Sequence, residues 1–303
     1  MARLDHIVLV HGAAHGAWCW EDVVPLLEAR SFRVTAVDLP GLGQDPTPPG
    51  QVTLQHYIDC VAAALRSVSC RALLVGHSMG GIAISGAAEA VPEKVGKLLY
   101  VAAVLPAAGT AVGGIDLGPD SAQQAIIESE EEGAFAFDPQ KAAAVFYGRC
   151  PPDKAARAIA RLRPQTIAPI AETLTLTAAR GGAIPKSYLL CTADRAFPPR
   201  IQRSLCERVS DMERIHLATD HSPFYSAPGA LSVIIVDQAC PSPCTNDHPL
   251  PAGLLSAGGI RRSRAPFDHG PAVFGRDCTP IGSLYINCSI DKRQQLTLPR
   301  SGY

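Results

Sequence analysis

A serine flanked by glycines is the pattern with the clearest chemistry in this chain. The stretch "VGHSMGG" contains G-x-S-x-G at Gly76–Gly80, between an apolar run typical of a strand and a helix-like run from Ile82. In such a nucleophile elbow, the glycines permit a strained turn that lifts the serine hydroxyl above the sheet, with a helix N-terminus beneath it. The pattern therefore predicts that Ser78 is a catalytic nucleophile.

A serine hydroxyl becomes a good nucleophile only when a base takes its proton and an acid orients that base. Folds with this elbow carry the three groups in the order serine, acid, histidine. His221, in "ATDHSPFY", follows the last predicted strand and is the expected base. Asp194, in "LLCTADRAF", is the preferred acid. Asp220 is the alternative, but its carboxylate would have to fold back to reach the neighbouring imidazole.

The segment "VHGAAHGAWCW" contains the small residues that an oxyanion hole requires. A glycine followed by two alanines lets the backbone turn, so we expect the N–H groups of Ala13 and Met79 to stabilise an oxyanion beside the serine. His11 and His15 are interpreted as residues that shape this loop. Three residues are expected to contact the substrate: Gly12, His77 and Phe135. The side chain of His77 should nevertheless point away from the nucleophile.

Composition narrows the class of protein. The 303 residues are 47% hydrophobic with a net charge of −1, so a large core can form and no basic surface for nucleic acid or membrane is expected. The apolar run Ile7–Val10 is too short for a signal peptide, which favours a cytoplasmic location. The ten cysteines are scattered, which favours reduced thiols. The cluster Cys240-x3-Cys244-x3-His248 matches no standard zinc spacing, so no metal or cofactor is expected.

Short apolar runs alternate with amphipathic segments, a pattern typical of a parallel sheet covered by helices. A helix is predicted over Thr53–Ser67, with Tyr57, Val61 and Leu65 on its buried face, and a closing helix over Pro228–Val236. Six strands are predicted: Ile7–His11, Val34–Asp38, Ala72–Gly76, Lys97–Val101, Ser187–Cys191 and Glu213–Leu217.

Two segments fall outside this pattern. Residues 107–184 interrupt the core of 1–106 and 185–239, and their Ala- and Glu-rich sequence predicts helices rather than strands. Ligands bind beyond the carboxyl ends of the strands in such sheets, so this insertion is interpreted as a lid, although it could also be an excursion without a binding role. Residues 240–303, rich in proline and glycine, are expected to be an irregular extension, with a binding or dimerisation arm as the alternative.

Five stretches together resemble the plant hydroxynitrile lyase and methylesterase branch of the α/β-hydrolases and similar bacterial carboxylesterases. They are "HGAAHGAWCWEDVVPLLEARSFRVTAVDLPGLG", "GHSMGG", "PEKVGKLLYVAAVLP", "CTADRAF" and "DHSPFYSAP", and the resemblance extends over about Asp5 to Val236. It implies an α/β-hydrolase fold with a six-stranded, mostly parallel sheet, a helical lid and a serine triad. It also implies small hydrophobic ester substrates; a homodimer is a further expectation.

Two positions distinguish activities within this branch. The similar lyases have a threonine where this chain has Gly12, and a lysine after the catalytic histidine where this chain has Ser222. Cyanide elimination needs a positive charge near the departing nitrile, whereas ester hydrolysis needs an oxyanion hole and room for water. The sequence therefore favours a serine carboxylesterase, with a lyase or a non-catalytic ligand receptor on the same fold as alternatives.

Overall fold

A seven-stranded sheet forms the centre of the molecule. From one edge to the other, its strands begin at Arg261, Glu213, Lys186, Val95, Ala72, His6 and Arg33. The structure, a computed structural model, describes residues 3–106, 117–210, 212–240 and 261–263. The strands of this sheet are β1 (His6–Val10), β2 (Arg33–Val37), β3 (Ala72–His77), β4 (Val95–Val101), β8 (Lys186–Cys191), β9 (Glu213–Leu217) and β10 (Arg261–Ser263). All neighbouring pairs are parallel except β9 with β10. The six predicted strands are therefore present, and their ends differ from the predicted ones by at most two residues.

Helices cover both faces of the sheet, which explains why its central strands are apolar throughout rather than alternating. β3, for example, is buried along its entire length. The helices of the core are α1 (Val24–Glu28), α2 (Leu54–Ser67), α3 (Gly80–Ala90), α7 (Pro199–Glu207), α8 (Pro223–Ser226) and α9 (Pro228–Ala239). Short 3₁₀ turns occur at Ala17–Trp20, Pro49–Gln51, Pro92–Lys94, Ala122–Ala125 and Gly181–Ala183.

The predicted helix after β2 begins where its capping residue indicates. The Thr53 hydroxyl accepts a hydrogen bond from the His56 N–H, and the predicted face of α2, with Tyr57, Val61 and Leu65, is buried. α9 closes the sheet as expected but continues three residues further, to Ala239.

The seventh strand corrects the prediction of six strands and of an irregular extension throughout 240–303. Residues 261–263 pair antiparallel with β9, and Arg262 forms ion pairs with Glu213 and Asp237. Arg261 and Arg262 carry no apolar signal, so the pattern of hydrophobic residues does not predict a strand there. Residues 241–260 and 264–303, with Cys244 and His248 among them, lie outside the described residues.

The insertion between β4 and β8 combines helices with a small sheet, so its prediction as helical needs correcting. It contains α4 (Pro139–Phe146), α5 (Pro152–Ile159) and α6 (Ala168–Ala171). It also contains an antiparallel sheet of β5 (Ile126–Glu128), β6 (Ala134–Phe137) and β7 (Gln165–Thr166). The sequence of β6, "AFAF", alternates small and large side chains with the period of a strand. Residues 107–116 lie outside the described residues.

Across the described ranges, no helix is both long and apolar enough to cross a membrane. The cytoplasmic location stays a prediction. Cys19, Cys191 and Cys206 are buried free thiols.

Candidate active site

Ser78 lies at a sharp turn between β3 and α3. Its backbone φ is +52°, a value that residues other than glycine rarely adopt. Backbone hydrogen bonds hold this turn: the Ser78 N–H donates to Val101, and the Ser78 carbonyl accepts from Gly81 and Val104. Gly80 is required by close approach, because a Cβ there would lie 2.5 Å from the His11 carbonyl oxygen. The glycines of G-x-S-x-G thus let the serine turn pack directly against the end of β1.

Ser78, His221 and Asp194 form a continuous hydrogen-bonded chain. His221 Nε2 lies 3.0 Å from Ser78 Oγ, and His221 Nδ1 lies 2.7 Å from Asp194 Oδ2. The carboxylate accepts the Nδ1 proton, so the Nε2 lone pair faces the serine hydroxyl. His221 and Asp194 are both buried. This arrangement can accept the serine proton as Oγ attacks an electrophilic carbon.

Asp194 is held by donors on both of its oxygens. The backbone N–H groups of Ala196 and Phe197 each donate to Oδ1 at 2.8 Å, and Gln202 Nε2 donates to Oδ2 at 3.0 Å. Gln202 is itself buried and bonds the backbone of Cys191 and Phe197. Gln202 is not among the site residues predicted from the sequence. Its spacing of eight residues from Asp194 is the one signal that could have suggested it, because it places the amide one turn into the helix that follows the acid loop.

Asp220 is turned away from the imidazole and bonds other groups. Its Oδ2 accepts from the Arg149 N–H at 2.8 Å, and its Oδ1 accepts from Ser226 Oγ at 2.7 Å and from the Ser222 N–H at 3.2 Å. These contacts fasten the insertion to the turn before α8. The geometry therefore places Asp194, and not Asp220, beside His221.

His77 points away from the serine hydroxyl, toward the backbone of His221. Its Nε2 donates to the His221 carbonyl oxygen at 2.7 Å, and the two rings lie 4.6 Å apart. Burial lowers the pKa of His77 well below its ordinary value, so the ring is neutral. Its Nδ1 has no hydrogen-bond partner within the described part of the chain. These contacts hold the backbone and ring of His221, and contact of His77 with a substrate stays a prediction.

The loop after β1 lies directly against the nucleophile. A Cβ on Gly12 would lie 2.8 Å from Ser78 Cβ and 3.0 Å from His77 Nδ1, so only glycine fits without a backbone shift. Ala13 follows at once, and Met79 caps the N-terminus of α3 on the other side of the serine. Ser222 is buried beside His221, where a lysine would have to bury its charge.

Aromatic side chains of the insertion lead outward from His221. The ring centroids of Phe146 and His221 are 5.7 Å apart. The centroids of Phe137 and Phe146 are 4.9 Å apart, and those of Phe135 and Phe137 are 5.4 Å apart. Phe146 is therefore the ring of this series that lies beside His221, and Phe135 joins the series at Phe137. The prediction from the sequence selected Phe135 of the insertion as a residue that contacts the substrate, and that contact stays a prediction.

No group of three or more His, Cys, Asp or Glu side chains suited to a metal ion occurs within residues 3–106, 117–210, 212–240 and 261–263. Of the proposed Cys240, Cys244 and His248 cluster, only Cys240 belongs to these ranges.

Comparison with known proteins adds a family and several relatives. The sequence model described as the alpha/beta hydrolase family matches residues 7–232. Methylesterase 1 of Arabidopsis thaliana is 31% identical over 251 residues, covering 76% of this chain and 94% of that protein. Putative methylesterase 11, chloroplastic, of the same plant is 31% identical over 254 residues, covering 79% of this chain. The alignment spans 65% of the length of that relative.

Among solved structures, a pyrethroid hydrolase from Sphingobium faniae is similar to this chain with a TM-score of 0.71 and 30% identity. The similarity covers 78% of this chain and 97% of that structure.

Proposed function

Because the chain belongs to the alpha/beta hydrolase family, we propose that it is a serine carboxylesterase acting on small, largely apolar esters. The observation that carries this proposal is the chain of hydrogen bonds from Ser78 through His221 to Asp194, built on a strained turn. The names of the relatives, methylesterase and pyrethroid hydrolase, agree with ester hydrolysis.

In the proposed reaction, Ser78 Oγ attacks the ester carbonyl carbon while His221 Nε2 accepts the hydroxyl proton. The N–H groups of Ala13 and Met79 stabilise the tetrahedral oxyanion. The intermediate then collapses, and the protonated His221 gives its proton to the departing alkoxide, which leaves as the alcohol. A water molecule, deprotonated by His221, attacks the acyl-enzyme and releases the carboxylic acid, which restores Ser78.

Apolar surroundings support a substrate with apolar acyl or alcohol parts. Phe146 lies beside His221. Met79 follows Ser78 in the chain, and the Val104 N–H donates to the Ser78 carbonyl. The side chains of Met79 and Val104 are both buried. We assign no cofactor to this chemistry. We propose that the site binds a small-molecule ester and that the protein binds neither nucleic acid nor a membrane.

The proposal predicts that Ser78→Ala abolishes ester hydrolysis. Loss of the nucleophile removes the covalent intermediate, so the rate should fall by about 10⁴-fold or more. Turnover of nitrophenyl, methyl and aryl esters measures the loss, and a fluorophosphonate should label the wild type but not the variant. Ser232→Ala is a matched control, because its hydroxyl donates to the Gly229 carbonyl of its own helix.

Three results would contradict the esterase proposal. Full turnover by Ser78→Ala would exclude the serine mechanism. Rapid, Ser78-dependent release of cyanide from mandelonitrile, without ester hydrolysis, would favour the lyase. Failure of the wild type to react with the fluorophosphonate or any ester would favour a receptor.

A further inference from the structure

The insertion over the site is bonded to the loop that carries Ala13. Gln165 Oε1 accepts the Ala14 N–H at 2.9 Å, and the Arg163 N–H donates to the Ala14 carbonyl at 2.9 Å. The Tyr147 hydroxyl bonds His15 Nε2 at 2.7 Å. The bonding residues are separated from the loop by more than 130 positions in the chain, so the contacts are tertiary.

Gln165 and, through His15, Tyr147 act on the peptide unit between Ala13 and Ala14. Its carbonyl oxygen accepts from His15 Nδ1 at 2.7 Å, and its N–H is the one that Gln165 accepts. The preceding peptide is held by His11, whose Nδ1 donates to the Gly12 carbonyl at 2.8 Å. Peptide planes on both sides of the Ala13 Cα are therefore fixed, and with them the direction of the Ala13 N–H.

The loop needs such support because Ala14 has a positive φ of 61°. An alanine in this region is strained, because its Cβ comes too close to the following carbonyl oxygen. Hydrogen bonds to both its N–H and its carbonyl hold it there, and each comes from the insertion.

The protonation states of the Tyr147–His15 pair suit this arrangement. Burial lowers the pKa of His15 to about 3, so the ring is neutral at neutral pH. Its Nε2 accepts a hydrogen bond from the Tyr147 hydroxyl, while its Nδ1 donates one to the Ala13 carbonyl. Burial raises the pKa of Tyr147 well above its ordinary value, so its hydroxyl remains a donor.

We propose that the insertion positions the loop of residues 12–15, the oxyanion loop, which carries the Ala13 N–H. Gln165 acts directly on Ala14, and Tyr147 acts through His15. Both are positioning residues: neither needs to touch the substrate. The inference rests on the proposed function, since it assigns the Ala13 N–H to the oxyanion. It gives the insertion a part in the chemical step in addition to covering the site.

A second set of contacts attaches the insertion to the core at a point away from the loop. On α5, Lys154 pairs with Asp22, and Arg157 bonds Glu21 at 3.0 Å. These ion pairs hold the insertion to the core without touching residues 12–15. They provide a control that loosens the same insertion at a different point.

The test compares Gln165→Met and Tyr147→Phe with Lys154→Met. For each variant, kcat and KM are measured, together with the inhibition constant of a trifluoromethyl ketone analogue of the best ester. Addition of Ser78 Oγ to that ketone, with its proton passing to His221, gives a tetrahedral oxyanion that requires the same N–H groups. Thermal melting and fluorophosphonate labelling report folding and an intact nucleophile.

We expect kcat to fall about 10- to 100-fold in Gln165→Met and Tyr147→Phe, less than for outright loss of an oxyanion donor. The inhibition constant should rise by the same factor as kcat/KM falls, with KM within about twofold, as for lost transition-state stabilisation. Lys154→Met should keep kcat and inhibitor affinity.

The inference is overturned if both variants keep wild-type kcat and inhibitor affinity, or if KM alone rises, since the insertion would then only bind substrate. An equal loss in Lys154→Met would also overturn it. If Gln165→Met does not fold, Tyr147→Phe decides, because it removes a single oxygen atom. Ser78→Ala separates the two proposals: an active Ser78→Ala defeats the proposed function, whereas an inactive one with unaffected positioning variants defeats only this inference.

Discussion

The two carboxylate oxygens of Asp194 accept four hydrogen bonds, from Ala196, Phe197, Gln202 and His221. A buried carboxylate is costly unless it is hydrogen-bonded, and bonds to a charged group are about twice as strong as neutral ones. These donors fix the rotation of the carboxylate so that one oxygen faces the imidazole. The acid is therefore oriented before any substrate binds.

This geometry predicts different consequences for the two neighbouring aspartates. Asp194→Asn should lower kcat by about 10⁴-fold, because an amide cannot hold His221 in the required tautomer. Asp220→Asn should keep kcat within about tenfold but lower the melting temperature, because it weakens the bond to Arg149. Steady-state kinetics and thermal melts of both variants provide the check, and the opposite order of the kcat losses would assign the acid to Asp220.

At the residue scale, the sequence predicted the groups that lie in characteristic local patterns. Ser78 sits in G-x-S-x-G, and Asp194 and His221 follow strands in the required order. Gln202 and Gln165 could not be predicted in the same way. Gln165 contacts a loop that lies 151 positions away in the chain, and the one signal for Gln202, its spacing of eight residues from Asp194, is not a distinctive pattern by itself.

At the scale of elements, the loop after β1 is fixed by two neutral histidines. The Leu39 N–H donates to His11 Nε2 at 3.0 Å, which leaves the His11 proton on Nδ1 to bond Gly12. Burial lowers the pKa of His11 to about 4 and that of His15 to about 3. Protonation of either ring would remove an acceptor that the loop uses.

These depressed pKa values predict that stability falls in mild acid. Between pH 6.5 and about 4 the unfolded chain binds protons that the folded histidines do not, so the free energy of unfolding decreases as the pH falls. His11 alone should contribute roughly 3 kcal/mol over this window. Urea unfolding at several pH values measures the slope, and His11→Gln should make it shallower. Unfolding midpoints that stay constant from pH 7 to 5 would contradict the prediction.

Prediction of the elements succeeded where periodicity was strong. α2 has a clear apolar face and a threonine cap, and β3 and β4 are continuous apolar runs. β6 was missed because four residues of alternating alanine and phenylalanine lie within an alanine-rich segment that favours helices. β7 is two residues long and exists only through its pairing with β6.

For the molecule as a whole, β10 pairs with the edge of the sheet that β9 would otherwise form. It covers β9 with backbone pairing over Arg261–Ser263, and Arg262 adds ion pairs to the neighbouring Glu213 and Asp237. An uncovered strand edge is a template for pairing with another chain. These three residues of the extension thus complete the sheet, while the triad lies entirely within 78–221.

This separation predicts that a chain ending at Ala239 keeps its esterase activity but loses some stability. We expect kcat within about twofold of the full chain and a melting temperature lower by a few degrees, since only a short edge strand is lost. A chain ending at Ser263 retains β10 and is the matched control. Light scattering of both would show whether the bare β9 edge associates, and an inactive shorter chain would mean that the extension supports the site.

The hydrogen bonds between the insertion and the loop after β1 are relevant to protein engineering. Exchanging insertions between relatives is an attractive way to change substrate preference, because the insertion borders the site. In this chain, a transplanted insertion would have to supply its own acceptor for the Ala14 N–H and its own donor for His15. A chimera lacking them should bind new substrates and yet turn them over slowly, and restoring a glutamine and a tyrosine at the matching positions would be the first repair to try.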